Sequence, residues 1–166
     1  MAKNKESEQA LYGTKRVAEF LGIPEWRVKN FSEGGAYGLR PSQTLGTGRG
    51  SRRLYSVNDI LRLAIANELV VYGFTPQTVG RAVREIPESM LIRGLGQSAD
   101  PSRPLLVCTG GEFEWRVRNA PEVKDLLFRT IEGTAKRRGV FALDFITLLK
   151  DTVFRMTRLT GLAGRK

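Results

Sequence analysis

The chain of 166 residues has no histidine and a single cysteine, Cys108. A zinc site draws on several Cys or His ligands, so one copy of this chain cannot assemble it. Histidine-based triads and the imidazole general base are excluded for the same reason. Acids are outnumbered, 17 against 27 basic residues, and a carboxylate-only Mg²⁺ site, open in principle, is disfavoured because they are scattered without a cluster. No apolar run approaches membrane-spanning length, and "MAKNKESEQA" lacks the apolar stretch of a signal peptide. A lone thiol suits a reducing compartment. Together these absences predict a soluble cytoplasmic protein without cofactor or metal. They also predict a non-enzyme, because no nucleophile, base and orienting group stand together.

What is present is positive charge and enough apolar residue for a core. The apolar fraction is 41%, the net charge +10 and the pI about 10.3. Such a balance favours a polyanionic partner: DNA, RNA or an acidic membrane surface. The excess is shared evenly. Up to Ile86 there are 13 basic and 8 acidic residues, and beyond it 14 and 9, so each half carries +5. Local clusters therefore have to carry the argument.

After a flexible N-terminus over 1–11, "GTKRVAEFLGIPEWRVKNF" predicts two short helices. Thr14 is placed to cap the first, Val17, Phe20 and Leu21 share one face, and Gly22 ends it. Pro24 suits the first turn of the second. A helix, a tight glycine turn and another helix form the helix-turn-helix pattern. "RRLY" reads as a short strand, and Ser56 to Asp59 as a capping box opening a third helix. Leu61, Ala64, Ile65, Leu69 and Tyr72 should line its buried face. Gly73 stops it, and Thr75-Pro76 starts a fourth helix with the stripe Val79, Ala82, Val83 and Ile86.

Between Gly34 and Ser56 the chain is rich in glycine and free of acids, and "GRGSRR" raises two alternatives. A phosphate-cradling P-loop needs a Lys-Ser/Thr pair between a strand and a helix, and "LGTGRGSRR" has neither that lysine nor those flanks. A dinucleotide fingerprint fails because a strand rather than a helix follows. A basic wing fits better: Arg40, Arg49, Arg52 and Arg53 supply forked donors for phosphate oxygens, against the bland reading of a solvated basic loop.

About 100° of rotation per residue gives the second helix an inward face of Pro24, Val28 and Phe31. Trp26, Lys29 and Asn30 then face away, with Arg27 and Glu25 on the flanks. Asn30 suits adenine N6/N7, while Lys29 or Arg27 suits guanine or phosphate. Trp26 has two readings, a contact to DNA or a packing residue in the core or between subunits. Lys15 and Arg16 either touch the DNA backbone or form a solvated face. Tyr55 either reaches a phosphate or packs the wing strand.

"VAEFLGI", "YGLRP", "RRLYSVNDILRL" and "ELVVYGFTPQTV" occur in this order between Tyr12 and Ile86. In order and spacing this span resembles the winged helix-turn-helix domain of the MerR-type transcriptional regulators. The resemblance implies that helix two enters the DNA major groove and that the wing lies on the flanking backbone or minor groove. It makes Arg53 the wing arginine and Tyr55 the wing tyrosine. It further implies a homodimer, joined through helical segments after the winged domain, that meets a palindrome. Trp26 and Asn30 stand where many relatives have arginine and tyrosine, so no target sequence carries over.

The segment 87–104 reads as a linker, and 105–166 as a small α+β unit for dimerisation, a partner or an effector. "LLVCTGGEFEWRVR" predicts a hairpin closed by Gly110-Gly111, pairing Cys108 with Phe113 and Leu106 with Trp115. Helices are expected over 121–131 and from Phe141 to about Leu159. In the latter, Ile146, Leu149, Val153 and Met156 form one stripe and Phe145, Leu148 and Phe154 a second, one for the hairpin and one for another chain. Phe145, Ile146, Leu149, Val153 and Met156 are thus the candidate dimer or partner residues. A small-molecule pocket around Phe113 and Trp115 competes with an ordinary core there. Lys136-Arg137-Arg138 is a second basic cluster, solvated or on nucleic acid.

The expected fold is mainly α with small β, and the expected function is a homodimeric, sequence-specific double-stranded DNA-binding regulator. The alternative is an excisionase-like or architectural DNA-binding adaptor that recruits a protein through its C-terminal half.

Overall fold

In the computed structural model, residues 10–33, 35–46, 51–93, 104–109, 114–131 and 140–163 are described. Strand β1 (Tyr12–Gly13) runs straight into helix α1 (Thr14–Leu21), whose buried face is Val17, Ala18, Phe20 and Leu21. Gly13, not Thr14, takes the N-cap position, and no side chain caps the helix. Thr14 is already inside the first turn, because the strand pairing of Gly13 holds that residue extended.

The corner to helix α2 (Glu25–Ser32) is a Schellman turn. Gly22, at φ +65°, donates its N–H to Glu19 O (3.3 Å), and Ile23 donates to Ala18 O (3.1 Å). Pro24 is the extended residue just before α2, and it lies exposed, so the inward face of α2 consists of Val28 and Phe31. Strand β2 (Gln43–Leu45) and strand β3 (Arg52–Tyr55) follow, and β3 is central in the antiparallel order β1-β3-β2.

Helix α3 (Val57–Val71) opens with the expected capping box, Ser56 Oγ accepting from the Asp59 N–H while the Asp59 carboxylate accepts from Ser56 N–H. Its corner to helix α4 (Pro76–Arg84) repeats the first. Gly73, at φ +85°, donates to Val70 O (2.9 Å) and Phe74 donates to Leu69 O (3.2 Å). The turn ends the helix before Tyr72 and leaves that side chain 58% exposed instead of in the core. Thr75 caps α4 with Pro76 in its first turn, and Val79, Ala82, Val83 and Ile86 are buried as expected.

Part of the segment read as a linker is helix α5 (Glu88–Arg93), whose Leu91 is fully buried. Strands β4 (Pro104–Thr109) and β5 (Glu114–Asn119) form the hairpin, but its register differs from the expectation: Cys108 pairs with Trp115 and Leu106 with Val117. Phe113 lies outside the described residues. The slip is two residues, which keeps every side chain on its face, so alternation alone could not separate the two registers. Helix α6 (Ala120–Ile131) agrees with expectation. Phe141 does not start a helix. It belongs to strand β6 (Val140–Leu143), which pairs with β4 in the order β5-β4-β6. Asp144 then sets the start of helix α7 (Phe145–Ala163) by accepting from the Thr147 N–H (3.2 Å) and hydroxyl (2.9 Å).

One buried apolar cluster runs through both halves. Helix α7 packs on α1, α3 and β4, and Phe74 of the second corner meets Trp115 and Phe141 edge-on at 5.1 and 5.0 Å. Trp115 is therefore a packed core residue. The proposed dimer stripe is used up in the same way: Phe145, Ile146, Leu149 and Met156 are buried in their own chain, and Val153 is partly buried against them. Four of the five are thus covered by their own chain. Phe154, 69% exposed, is left outside. Among the described residues no helix is long and apolar enough to cross a membrane.

Two outcomes follow from this packing. A Cβ on Gly80 would lie 2.3 Å from the Tyr37 carbonyl oxygen, where backbone must yield. Gly80→Ala should cost about 1–3 kcal/mol, read as a lower urea midpoint. Burial pushes the Cys108 thiol up from its ordinary value. The native protein should react slowly with a thiol-specific chromogenic disulfide at pH 8 and rapidly once unfolded, because thiolate is the reacting form.

Candidate nucleic-acid interface

With Val28 and Phe31 anchored inward, α2 presents Trp26, Lys29 and Asn30 to solvent. Trp26 is 57% exposed, which removes the core reading of that residue. Lys29 and Asn30 are exposed and make no side-chain hydrogen bond to another described residue. Arg27 is held differently. Its Nη1 donates to Asn67 Oδ1 on α3 (3.2 Å), and its guanidinium lies 5.4 Å from the centre of the Trp26 ring. It both braces α2 and sets the attitude of the indole.

The wing strand is tied to the end of α2. Ser32 Oγ donates its one proton to Val28 O (3.1 Å), so the 2.9 Å contact with Tyr55 must have the phenol as donor. Tyr55 is 1% exposed. It is a packing residue, and the expectation of a phosphate contact from it is corrected, since its hydroxyl is committed inside the fold. Arg53 Nη1 pairs with Glu33 Oε1 at 2.7 Å, a second tie between β3 and the end of α2. Arg52 is exposed.

The structure brings together four cations that the sequence offered separately. Lys15, Arg16, Arg52 and Arg53 line one groove of about 530 Å³ between the start of α1 and β3. Among the described residues the one acid on that groove, Glu19, is already engaged by Arg16 at 2.7 Å. Arg16 also donates to Leu159 O (2.8 Å), which anchors it to α7 and leaves it less free than Lys15. The first turn of α1 adds to the field, because it has no side-chain cap and no acidic residue. Its unpaired N–H groups and the positive end of the helix dipole favour an anion. Groove and dipole together suit a phosphate rather than a base edge.

Arg40 is not part of this groove. It lies on a second cavity with Arg62 and Arg84. Neither of these two was singled out from sequence, although Arg62 is conspicuous as a lone charge in the apolar run "ILRLAIA". Arg49 and the cluster Lys136-Arg137-Arg138 lie outside the described residues. No protein-family model matches the chain, and no curated protein matches its sequence.

Proposed function

We propose that this chain is a sequence-specific double-stranded DNA-binding regulator of the MerR-like winged helix-turn-helix kind. On this reading α2 enters the major groove and the β2–β3 hairpin lies along the neighbouring backbone or minor groove. The observation that carries it is the division of labour on α2. One face is locked into the core by Val28 and Phe31, and the other leaves Lys29 and Asn30 without side-chain partners among the described residues and Trp26 exposed under the Arg27 guanidinium. Such a face has donors and acceptors to give to base edges. The groove of Lys15, Arg16, Arg52 and Arg53 supports the reading, since backbone contacts fix register while base contacts read sequence.

A homodimer would have to form through a surface other than the buried residues of the α7 stripe. That point favours a second reading, the excisionase-like adaptor, which needs no symmetric dimer. A footprint separates the two. One palindromic site near a promoter belongs to the regulator, and tandem sites filled cooperatively belong to the adaptor.

The first test is selection of bound fragments from random duplex DNA, followed by anisotropy titrations over a range of salt. Binding should weaken linearly in log–log coordinates as salt rises. Failure of the folded protein to bind any duplex at low ionic strength would overturn the reading. Arg52→Ala should weaken all sequences alike and lower the salt slope by about one unit. By contrast, Asn30→Ala should cost about 1–3 kcal/mol on the selected site and relax preference at one base pair.

A further inference from the structure

The cavity bounded by the loop at 38–40 and helices α3 and α4 has a volume of about 320 Å³. Arg40, Arg62 and Arg84 all line it, and among the described residues the single acid on it is Asp59. That acid is occupied elsewhere. Its Oδ2 accepts from the Ser42 N–H (2.9 Å), the Ser42 hydroxyl (2.5 Å) and the Ser56 N–H (2.9 Å), bracing the loop against the start of α3. Arg62 Nη1 donates to Val83 O (2.8 Å) at the end of α4, which fixes its guanidinium with other donors still unused. Arg84 packs over residue 38, where a Cβ would lie 2.9 Å from its Nη1, and the left-handed φ of +66° there favours glycine. Neither Arg40 nor Arg84 has a carboxylate partner among the described residues.

We propose that this cavity binds a phosphate group. Three guanidiniums converging on a concave site focus positive potential, and their planar forks match phosphate oxygens two at a time. Leu39, half-buried, gives the cavity an apolar side beside them, and the volume falls in the range of small-ligand pockets. The phosphate can come from a small phosphomonoester, with its organic part on that side, or from a duplex backbone. The duplex source rests on the duplex-binding reading, whereas the small-anion source does not and is tested first, without DNA.

Thermal unfolding is followed with inorganic phosphate and with phenyl phosphate, against sodium chloride of equal ionic strength. A small-molecule site raises Tm with ligand concentration, by about 5–10 °C once ligand reaches about a hundred times its Kd. Phenyl phosphate should act at lower concentration than inorganic phosphate. The rise should vanish in Arg40→Gln/Arg84→Gln and persist in the charge-matched control Lys124→Gln/Arg158→Gln. Should neither small anion act, duplex binding by the same proteins is the second arm. A backbone-phosphate site then shows a salt slope about two units lower in the first variant than in the control. Shifts of the Arg40, Arg62 and Arg84 Nε–H signals on titrating the native protein report on the same site without any substitution. The proposal falls if the two double variants behave alike in both arms and those signals do not move.

Discussion

Helix α3 is the member on which everything else is stacked. It is apolar nearly all round, with Ile60, Leu61, Leu63, Ala64, Ile65, Ala66 and Leu69 buried, and α1, α2, α4, α5, α7 and β3 all pack against it. Burying a Leu- or Ile-sized side chain contributes about 1.5–3 kcal/mol, so this one helix gathers a large share of the driving force. Its position also fixes the exposed face of α2. Arg27 reaches α3 through Asn67, and Val28 and Phe31 close onto the shared core. The attitude of Trp26, Lys29 and Asn30 is a consequence of that seating. Even the polar Asn58 serves it, donating from Nδ2 to Glu88 and so holding α5 in place.

Charge is organised on top of this scaffold by pairing rather than by number. The chain carries +10 overall, yet its arginines have distinct duties. Arg53 and Arg16 are engaged by Glu33 and Glu19, and Arg62 by a backbone carbonyl. Lys15, Arg52, Arg40 and Arg84 keep their donors free of carboxylates among the described residues. An exposed ion pair adds little stability, about 0–1 kcal/mol, but it fixes where a guanidinium points. The paired arginines therefore act as posts, and the unpaired cations beside them are the ones able to exchange water for an anion.

The helical part was largely legible beforehand, because its signals are local. The capping box at Ser56, the Thr75-Pro76 start, and the two glycine corners depend on residues within one or two turns of each other. The C-terminal half was less legible. Val140 to Leu143 is too short for a periodic signal, and it becomes a strand because the open edge of β4 is there to receive it. The hairpin register slipped by two because both alignments bury the same side chains. The α7 stripe reads as apolar from sequence, and Phe145, Ile146, Leu149 and Met156 are buried within their own chain. Periodicity shows that a face will be covered but not by what.

The candidate site divides along the same line. Which face of α2 looks outward, and that the wing strand is basic, follow from residue order, since a helix and a strand repeat over a few residues. That Lys15 and Arg16 meet Arg52 and Arg53 in one groove, that Tyr55 is sealed inside, and that Arg40 joins Arg62 and Arg84 required the fold. Those groupings join residues distant in sequence, and no local pattern encodes which distant side chains share a cavity. Sequence set the secondary elements and their apolar faces because short-range sterics and hydrogen bonds decide them. Tertiary packing alone chose each cation's neighbours, because electrostatic contact depends on separation in space.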